Sequence, residues 1–459
     1  MKRVFGLGGA LLASIFAIDS VGGCSDDPSP GTPAALEIGT LSSLSGDLAS
    51  LGIEFNDAAN LAVEDINAAG GVLDRPLKIV VQDDGTSPEG AKTAFPKLAT
   101  LKVPIILGPT TSGQVVEIAD QLASAGIVTI GRTTTADQLS DIPDNGYFFR
   151  ITPADAFQSE VLANIISSSG VEALCLVHRR DTYGKNLAQR VEQKLGANVK
   201  VTTSEYDPAR ADLSSVMTAC AALVCDPSSN ADAGTGSDAG DDAGDGGTSS
   251  GTDSGAPCTA PPPEKVGLLA ITFVDDGALI LDDAKKKGWS AKKQKFFFTD
   301  GAYDRGLLTR VKDLANLEGA LGTAPAGPNP DTPEGENYRR FQARYQQRYG
   351  RPAGIFVENS YDSVYIAAAA LEIAKTGTPG ASIKEAMAKV SVPGGKRVVS
   401  GDWASIRAAI RAGESIDYDG ASGPCDFDAK GDITPPYNYV IWTVKDGNLA
   451  VTDRRTVNP

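Results

Sequence analysis

Residues 103–126 read VPIILGPTTSGQVVEIADQLASAG, and how they are read decides the fold. Val103 to Leu107 form an apolar run of strand length, and Gln114 to Gly126 carry apolar residues at helical spacing. Between them lies GPTTSG, residues 108–113, a loop of glycines and hydroxyls. At such a strand-to-helix turn, free backbone amides and the helix dipole favour a small anion. Ser112 stands where the helix begins; taken alone it reads as a plain helix cap. A second hydroxyl loop follows the next apolar run, GIVTI, at GRTTTADQ with Thr133, Thr134 and Thr135. In a parallel sheet both loops leave the same strand ends, the edge at which ligands bind.

The same alternation extends in both directions. LEIGTL (36–41) precedes a helical pattern through residues 55–71, where Phe55, Ala59, Ala62 and Ile66 recur and Gly70-Gly71 close the helix. LKIVVQ (77–82) is a further strand. A second series starts near residue 155, with strands at EALCLVH (172–178), NVKVTTSEY (198–206), KVGLLAI (265–271) and QKFFFTD (294–300). Helices are predicted between them, including one near 211–224, and two long helices at 332–349 and 357–376. GPCDFDAKGD (423–432) and YNYVIWTVKDGNL (437–449) read as strands. Strand alternating with helix predicts α/β architecture, parallel sheets with helices on both faces. About 400 residues outside tether and insert exceed what one core holds, so two lobes are expected.

The first residues read as an address. MKR is followed by an apolar run, residues 4–18, too short for a membrane span, and then by VGGC with Cys24. This is the pattern of a lipoprotein signal peptide (1–23), with Cys24 as the lipidated residue and 24–35 as a Pro-rich tether. The net charge of −16 argues against nucleic acid as a partner and against charge-driven membrane binding. Residues 226–263 contribute seven Asp and no Lys, Arg or Glu; lacking apolar residues, this insert is expected to be disordered. A repeat-type Ca²⁺ site would need a regular apolar position that the insert lacks. Cys225 and Cys258 flank the insert and could form a disulfide at its base, with Cys220 competing; Cys175, in an apolar run, is expected to be a buried free thiol. No Cys/His cluster supports a metal, and no cofactor motif is present.

Enzymatic readings fare poorly. GPTTSGQ lacks the Lys of a phosphate-binding loop, and no GxGxxG opens any of the helices. His178, the only histidine, ends a strand without a GxSxG elbow or a second base. Binding without catalysis is the expectation.

Residues 36–91, LEIGTLSSLSGDLASLGIEFNDAANLAVEDINAAGGVLDRPLKIVVQDDGTSPEGA, closely resemble the start of leucine/isoleucine/valine-binding proteins, receptors of ABC importers. IILGPTTSG, HRRDTYGKNLA, ENSYDSVYIAAAAL and GPCDFDAKGDI continue the resemblance in order over about residues 36–447, apart from the insert and a longer piece near 393–412. The resemblance implies a type I periplasmic binding protein fold, two lobes joined by three crossovers that close on an amino acid. Lobe one would hold 36–154 with 325–424, and lobe two 155–324 with 425–459. Ser112, Thr133 and Thr135 match the family's carboxylate grip, and Asp300 its partner for the ammonium. Tyr183, Phe273 and Tyr361 match aromatics around the side chain. Departures are Leu51, where an aromatic is common, and Gly131-Arg132, where Ser-Pro is frequent; Arg132 could add a positive contact for an acidic ligand or point to solvent, and solvent is the expectation.

The expected protein is thus an exported, lipid-anchored monomer facing the periplasm or cell exterior. It would capture an amino acid for an ABC permease and ATPase complex. The alternative is a sensor of the same fold that reports an amide or other small molecule to a partner.

Overall fold

The computed structural model describes residues 33–210, 212–223 and 260–458. Cys24 with its signal peptide, most of the tether, Cys225, Cys258 and nearly all of the acidic insert lie outside these described residues.

The first sheet is built from β1 (Leu36–Ser42), α1 (Ala49–Ala68), β2 (Leu77–Asp83), α2 (Pro88–Thr100), β3 (Ile105–Leu107), α3 (Ser112–Ala125), β4 (Val128–Gly131) and β5 (Phe148–Arg150). Its strand order is β2-β1-β3-β4-β5 and every pairing is parallel. The chain then enters α4 (Asp155–Ser168), β6 (Ala173–Arg179), α5 (Thr182–Leu195), β7 (Lys200–Tyr206), β8 (Val266–Ile271), α6 (Val274–Lys286), β9 (Lys295–Phe298), α7 (Arg305–Arg310) and β10 (Leu321–Pro325). It returns toward the first sheet with α8 (Glu336–Tyr349), α9 (Val357–Ala374), α10 (Ala381–Met387), β11 (Lys396–Val399), α11 (Trp403–Arg411) and β12 (Ile416–Asp419). A last crossing leads to β13 (Tyr437–Lys445) and β14 (Asn448–Val457). The second sheet runs β14-β13-β10-β9-β8-β6-β7, with β13 and β14 as an antiparallel edge.

Burial explains the patterns. Every residue of β6 and β8 is buried, as expected where helices cover both faces of a parallel sheet. Helix α9 is buried nearly all round because α1, α10 and α11 surround it, which is why its sequence is so rich in alanine. Gly108 follows β3 with φ 101°, and a Cβ there would meet the Leu41 carbonyl at 2.2 Å. Only glycine lets the 108–113 loop start so close to β1.

The crossings are pinned by one buried cation. Arg150, at the end of β5, places Nε 2.7 Å from Asp432 Oδ1 and donates from Nη2 to Asp432 Oδ2 at 3.1 Å. It also donates to the Ala136 carbonyl and to Ser140 Oγ, so the first and last crossings share one anchor.

Four expectations are corrected. Cys175 is not a free thiol: it is bonded to Cys220, with Cα atoms 5.5 Å apart. The segment around Cys220 forms only short 3-10 turns, Val216–Thr218 and Ala221–Leu223, instead of a helix over 211–224. These turns lie against β6 and β7, and topology rather than sequence spacing brings the two sulfurs together. Residues 423–432 make isolated bridges, among them Phe427 with Ile433 and Arg150 with Asp432, and not a strand. The fourth is Arg132, fully buried instead of solvated. The piece near 393–412 supplies β11 and α11; β11 pairs in parallel with β12 as a separate two-stranded sheet, and α11 packs on α9.

Candidate functional site

The ends of β1, β3 and β4 face the ends of β6, β8 and β9 across a narrow cleft. Its inner cavity is lined by Thr110, Thr111, Ser112 and Thr133 on one side and by Tyr183, Phe273, Asp300 and Gly301 on the other. Leu48, Leu51, Phe55, Ile355 and Phe356 close it with apolar surface.

Helix α3 starts at Ser112, with Thr111 as its cap residue and the Thr111 amide donating to Gln114 Oε1 at 2.8 Å. The amides of Ser112 and Gly113 have no hydrogen-bond partner among the described residues. Ser112 Oγ accepts from the Ala136 amide at 3.2 Å, which leaves its own proton free to donate. Thr133 Oγ1 donates to the Thr110 carbonyl at 2.5 Å and ties the two hydroxyl loops together. Thr135 is buried behind that surface, with Oγ1 unpartnered.

The opposite wall is carboxylate and aromatic. Asp300 opens a 3-10 turn after β9 and accepts at Oδ1 from Tyr183 OH and Gln158 Nε2, each at 2.8 Å. Burial pushes its carboxyl above the ordinary carboxylate range, and these two donors hold it part of the way back. The Tyr183 ring stacks on Phe273 at 5.8 Å with an interplanar angle of 17°.

Tyr361 does not reach the cavity. Its hydroxyl donates to Asp65 Oδ2 at 2.8 Å and its ring packs on Phe341, so it belongs to the contact of α9 with α1 and α8. The residues of this segment that do line the cavity are Ile355 and Phe356, before the helix begins. Phe356 holds φ at 60°, a strained backbone for a bulky residue. Arg132 turns inward beneath the wall: it donates to Leu41 O and Ser360 Oγ, each at 3.1 Å, and lies 5.3 Å from the Phe55 ring centre. Burial lowers its pKa to about 10, so it stays charged at neutral pH and braces Phe55 from behind.

One residue that the sequence reading missed is Asp155, at the first turn of α4. Its amide donates to the Thr135 carbonyl at 2.8 Å, and both of its carboxylate oxygens are buried without a well-formed hydrogen bond. Burial and the nearby Asp300 push its carboxyl well above the usual range. Asp155 and Thr135 lie behind the cavity wall, and Asp300 is the acidic residue that lines this end of the cleft, which suits it to a cation. The Ser112 end is suited to an anion. His178, by contrast, is buried, with Nδ1 2.8 Å from the Arg179 carbonyl, and stands outside the cavity lining.

The cleft is closed. Arg190 Nε lies 2.6 Å from Asp137 Oδ2, and the Asp137 amide donates to Asn186 Oδ1 at 3.0 Å. Ser50 Oγ is 3.4 Å from Asp304 Oδ2. Among the described residues no group of His, Cys, Asp and Glu has the arrangement of a metal site, and no helix is long and apolar enough to cross a membrane.

The Leu/Ile/Val-binding protein BraC3 of Rhizobium johnstonii is 28% identical over 190 residues, 40% of this chain and 51% of that protein. The chain thus spans about half the length of such curated relatives. Among solved structures, the branched-chain amino acid transporter substrate binding protein LivJ from Streptococcus pneumoniae, in complex with isoleucine, superposes with a TM-score of 0.68. That match has 19% identity and covers 93% of this chain and all of the other. A solute binding protein of an ABC transporter from Rhodopseudomonas palustris, in complex with 3,4-dihydroxybenzoic acid, gives a TM-score of 0.65 at 14% identity, covering 93% and 98%. At these identities the likeness is one of fold. The family model described as periplasmic binding protein matches residues 35–448, and the chain belongs to that family, with the two-lobed type I fold.

Proposed function

We propose that the protein captures a free amino acid in the cleft and delivers it to an ABC importer. The observation that carries the reading is the polarity of the cleft. Two free amides and the Ser112 hydroxyl stand at one end, and the buried carboxylate of Asp300 stands at the other. A zwitterion satisfies both ends at once, and it would favour closure because it contacts both lobes only when they meet. The apolar wall of Leu48, Leu51, Phe55, Phe273, Ile355 and Phe356 suits an aliphatic or aromatic side chain. In this reading lobe one holds 36–154 with 325–424, lobe two holds 155–324 with 425–459, and no residue is catalytic. The complex with 3,4-dihydroxybenzoate in a relative of the same fold names the rival ligand class, an aromatic acid without an ammonium group. Native mass spectrometry after gentle purification tests the proposal: a retained amino-acid mass supports it, and a retained aromatic acid contradicts it.

The affinity should depend on pH in one direction. An ammonium beside Asp300 favours the charged carboxylate, so binding lowers a pKa that burial has raised in the free site. Affinity is therefore full above that raised pKa and falls as pH drops through it. Titration calorimetry across the acid range checks this. A pH-independent affinity down to the ordinary carboxylate range would remove Asp300 from the ligand.

We infer from VGGC that Cys24 carries a lipid that holds the protein, as a monomer, at a bacterial membrane. Cys24→Ala should release the protein in soluble or unprocessed form and remove acyl chains from its N-terminal peptide. A wild-type N-terminus elsewhere, without lipid, contradicts the anchor.

A further inference from the structure

Arg179, at the end of β6, pairs with three carboxylates, Asp47, Asp181 and Asp276, and it touches both lobes. Nη1 lies 2.7 Å from Asp276 Oδ2 and Nε lies 2.7 Å from Asp181 Oδ2, both on its own lobe. Nη2 lies 3.3 Å from Asp47 Oδ2, on the loop between β1 and α1 of the other lobe. Its guanidinium plane sits over the Phe273 ring, 3.8 Å from the ring centre. Phe273 stacks on Tyr183, and Tyr183 donates to Asp300. Leu48, the residue after Asp47, lines the same cavity. Asp47 thus sits one residue from the wall of lobe one, and Arg179 holds the wall of lobe two.

We propose that Arg179 is a positioning residue that couples closure to the ligand pocket: meeting Asp47 on closure, it locks the Phe273–Tyr183 stack that backs Asp300. The proposal rests on the cleft being the ligand site and adds a device outside the ligand's own contacts. Asp276 and Asp181 hold Arg179 in place in either state, since both lie on its lobe, and Tyr206 OH donates to Asp276 from β7. Asp47 is therefore the closure-dependent partner. Its side chain is 41% exposed, so its effect is modest and screened by salt. The stacked guanidinium is buried, and a lysine ammonium would reproduce neither the planar stack nor the fork of bonds.

The test is a double-mutant cycle of Asp47→Asn and Arg179→Lys. Spin-label distances between exposed Leu101 and Leu279, labelled through unnatural amino acids, report the closed fraction without ligand and with L-isoleucine. Stopped-flow dissociation of L-isoleucine reports release. Asp47→Asn should lower the closed-to-open ratio about 2- to 5-fold, an effect that shrinks at high salt. Arg179→Lys should lower it by about the same 2- to 5-fold, because Asp47 is its closure-dependent partner; it should also speed L-isoleucine release by loosening the Phe273–Tyr183 stack, and leave little for Asp47→Asn to add. Additive effects, or an Arg179→Lys variant that melts earlier while closed fraction and release stay at wild-type values, overturn the proposal. If wild type neither binds nor closes with L-isoleucine, the ligand reading fails for that compound, and the pair is judged on the ligand-free distances alone. An unchanged ligand-free closed fraction in Asp47→Asn then overturns it.

Discussion

Asp300→Ala is expected to weaken amino-acid binding by about 30-fold to 4,000-fold, mainly through faster release. Removing the carboxylate leaves a buried ammonium unpaired, which costs roughly 2–5 kcal/mol, more than the loss of one hydrogen bond. The variant also strips an acceptor from Tyr183 OH and Gln158 Nε2, so part of the loss would come from a loosened wall. Asp300→Asn separates the two effects, because it keeps an acceptor for both donors and removes only the charge. It should retain the melting temperature of wild type and still bind at least 10-fold more weakly, on the order expected for a charge-assisted bond. Ser112→Ala should cost less, since the amides of Ser112 and Gly113 remain. Wild-type affinity in Asp300→Asn would show that no ammonium sits there.

Arg150→Met is expected to lower global stability by about 3–5 kcal/mol, toward the lower end because Asp432 is 19% exposed. The guanidinium is fully buried, and its loss leaves the Ala136 carbonyl without this donor and Asp432 with only the Ser140 hydroxyl as side-chain donor. The denaturant midpoint should fall at constant slope, as for a stability change without a change in compactness. Adding Asp432→Asn should recover part of the loss, since the uncompensated charge is removed. Ligand binding should weaken as well. Ala136 presents both the carbonyl that Arg150 holds and the amide that orients Ser112 Oγ. A variant as stable as wild type would mean that the crossings are held by packing alone.

Local chemistry made much of this fold and site readable. VPIIL, GPTTSG and the following amphipathic run state strand, loop and helix within residues 103–126, and the structure folds them so. Ser112, Thr133, Tyr183, Phe273 and Asp300 converge on one cavity because each follows a strand end, and strand ends of parallel sheets gather on one edge. Tyr361 misled because its place in a matched segment said nothing about helix phase. One turn into α9 the Tyr361 side chain faces α1 and α8, whereas Ile355 and Phe356, ahead of the helix, face the ligand space. Arg132 misled because an isolated cation reads as solvated; its partners, Leu41 O and Ser360 Oγ, are remote in sequence. The Cys175–Cys220 bridge and the non-helical 212–223 segment depend on which strand lies beneath, and periodicity carries no such information. Asp155 went unnoticed because a helix-opening Asp reads as a cap, and only burial with both oxygens unpartnered sets it apart.

A cleft that grips the two charged ends of an amino acid must lose affinity when either end of the ligand is removed. Titration calorimetry of the purified protein with L-amino acids, their amides and their deaminated acids tests it most directly. At least one aliphatic or aromatic amino acid should bind, and its amide and its deaminated acid should each bind at least 10-fold more weakly, the loss expected for a charge-assisted contact. Equal affinity for an amino acid and its deaminated acid would contradict it.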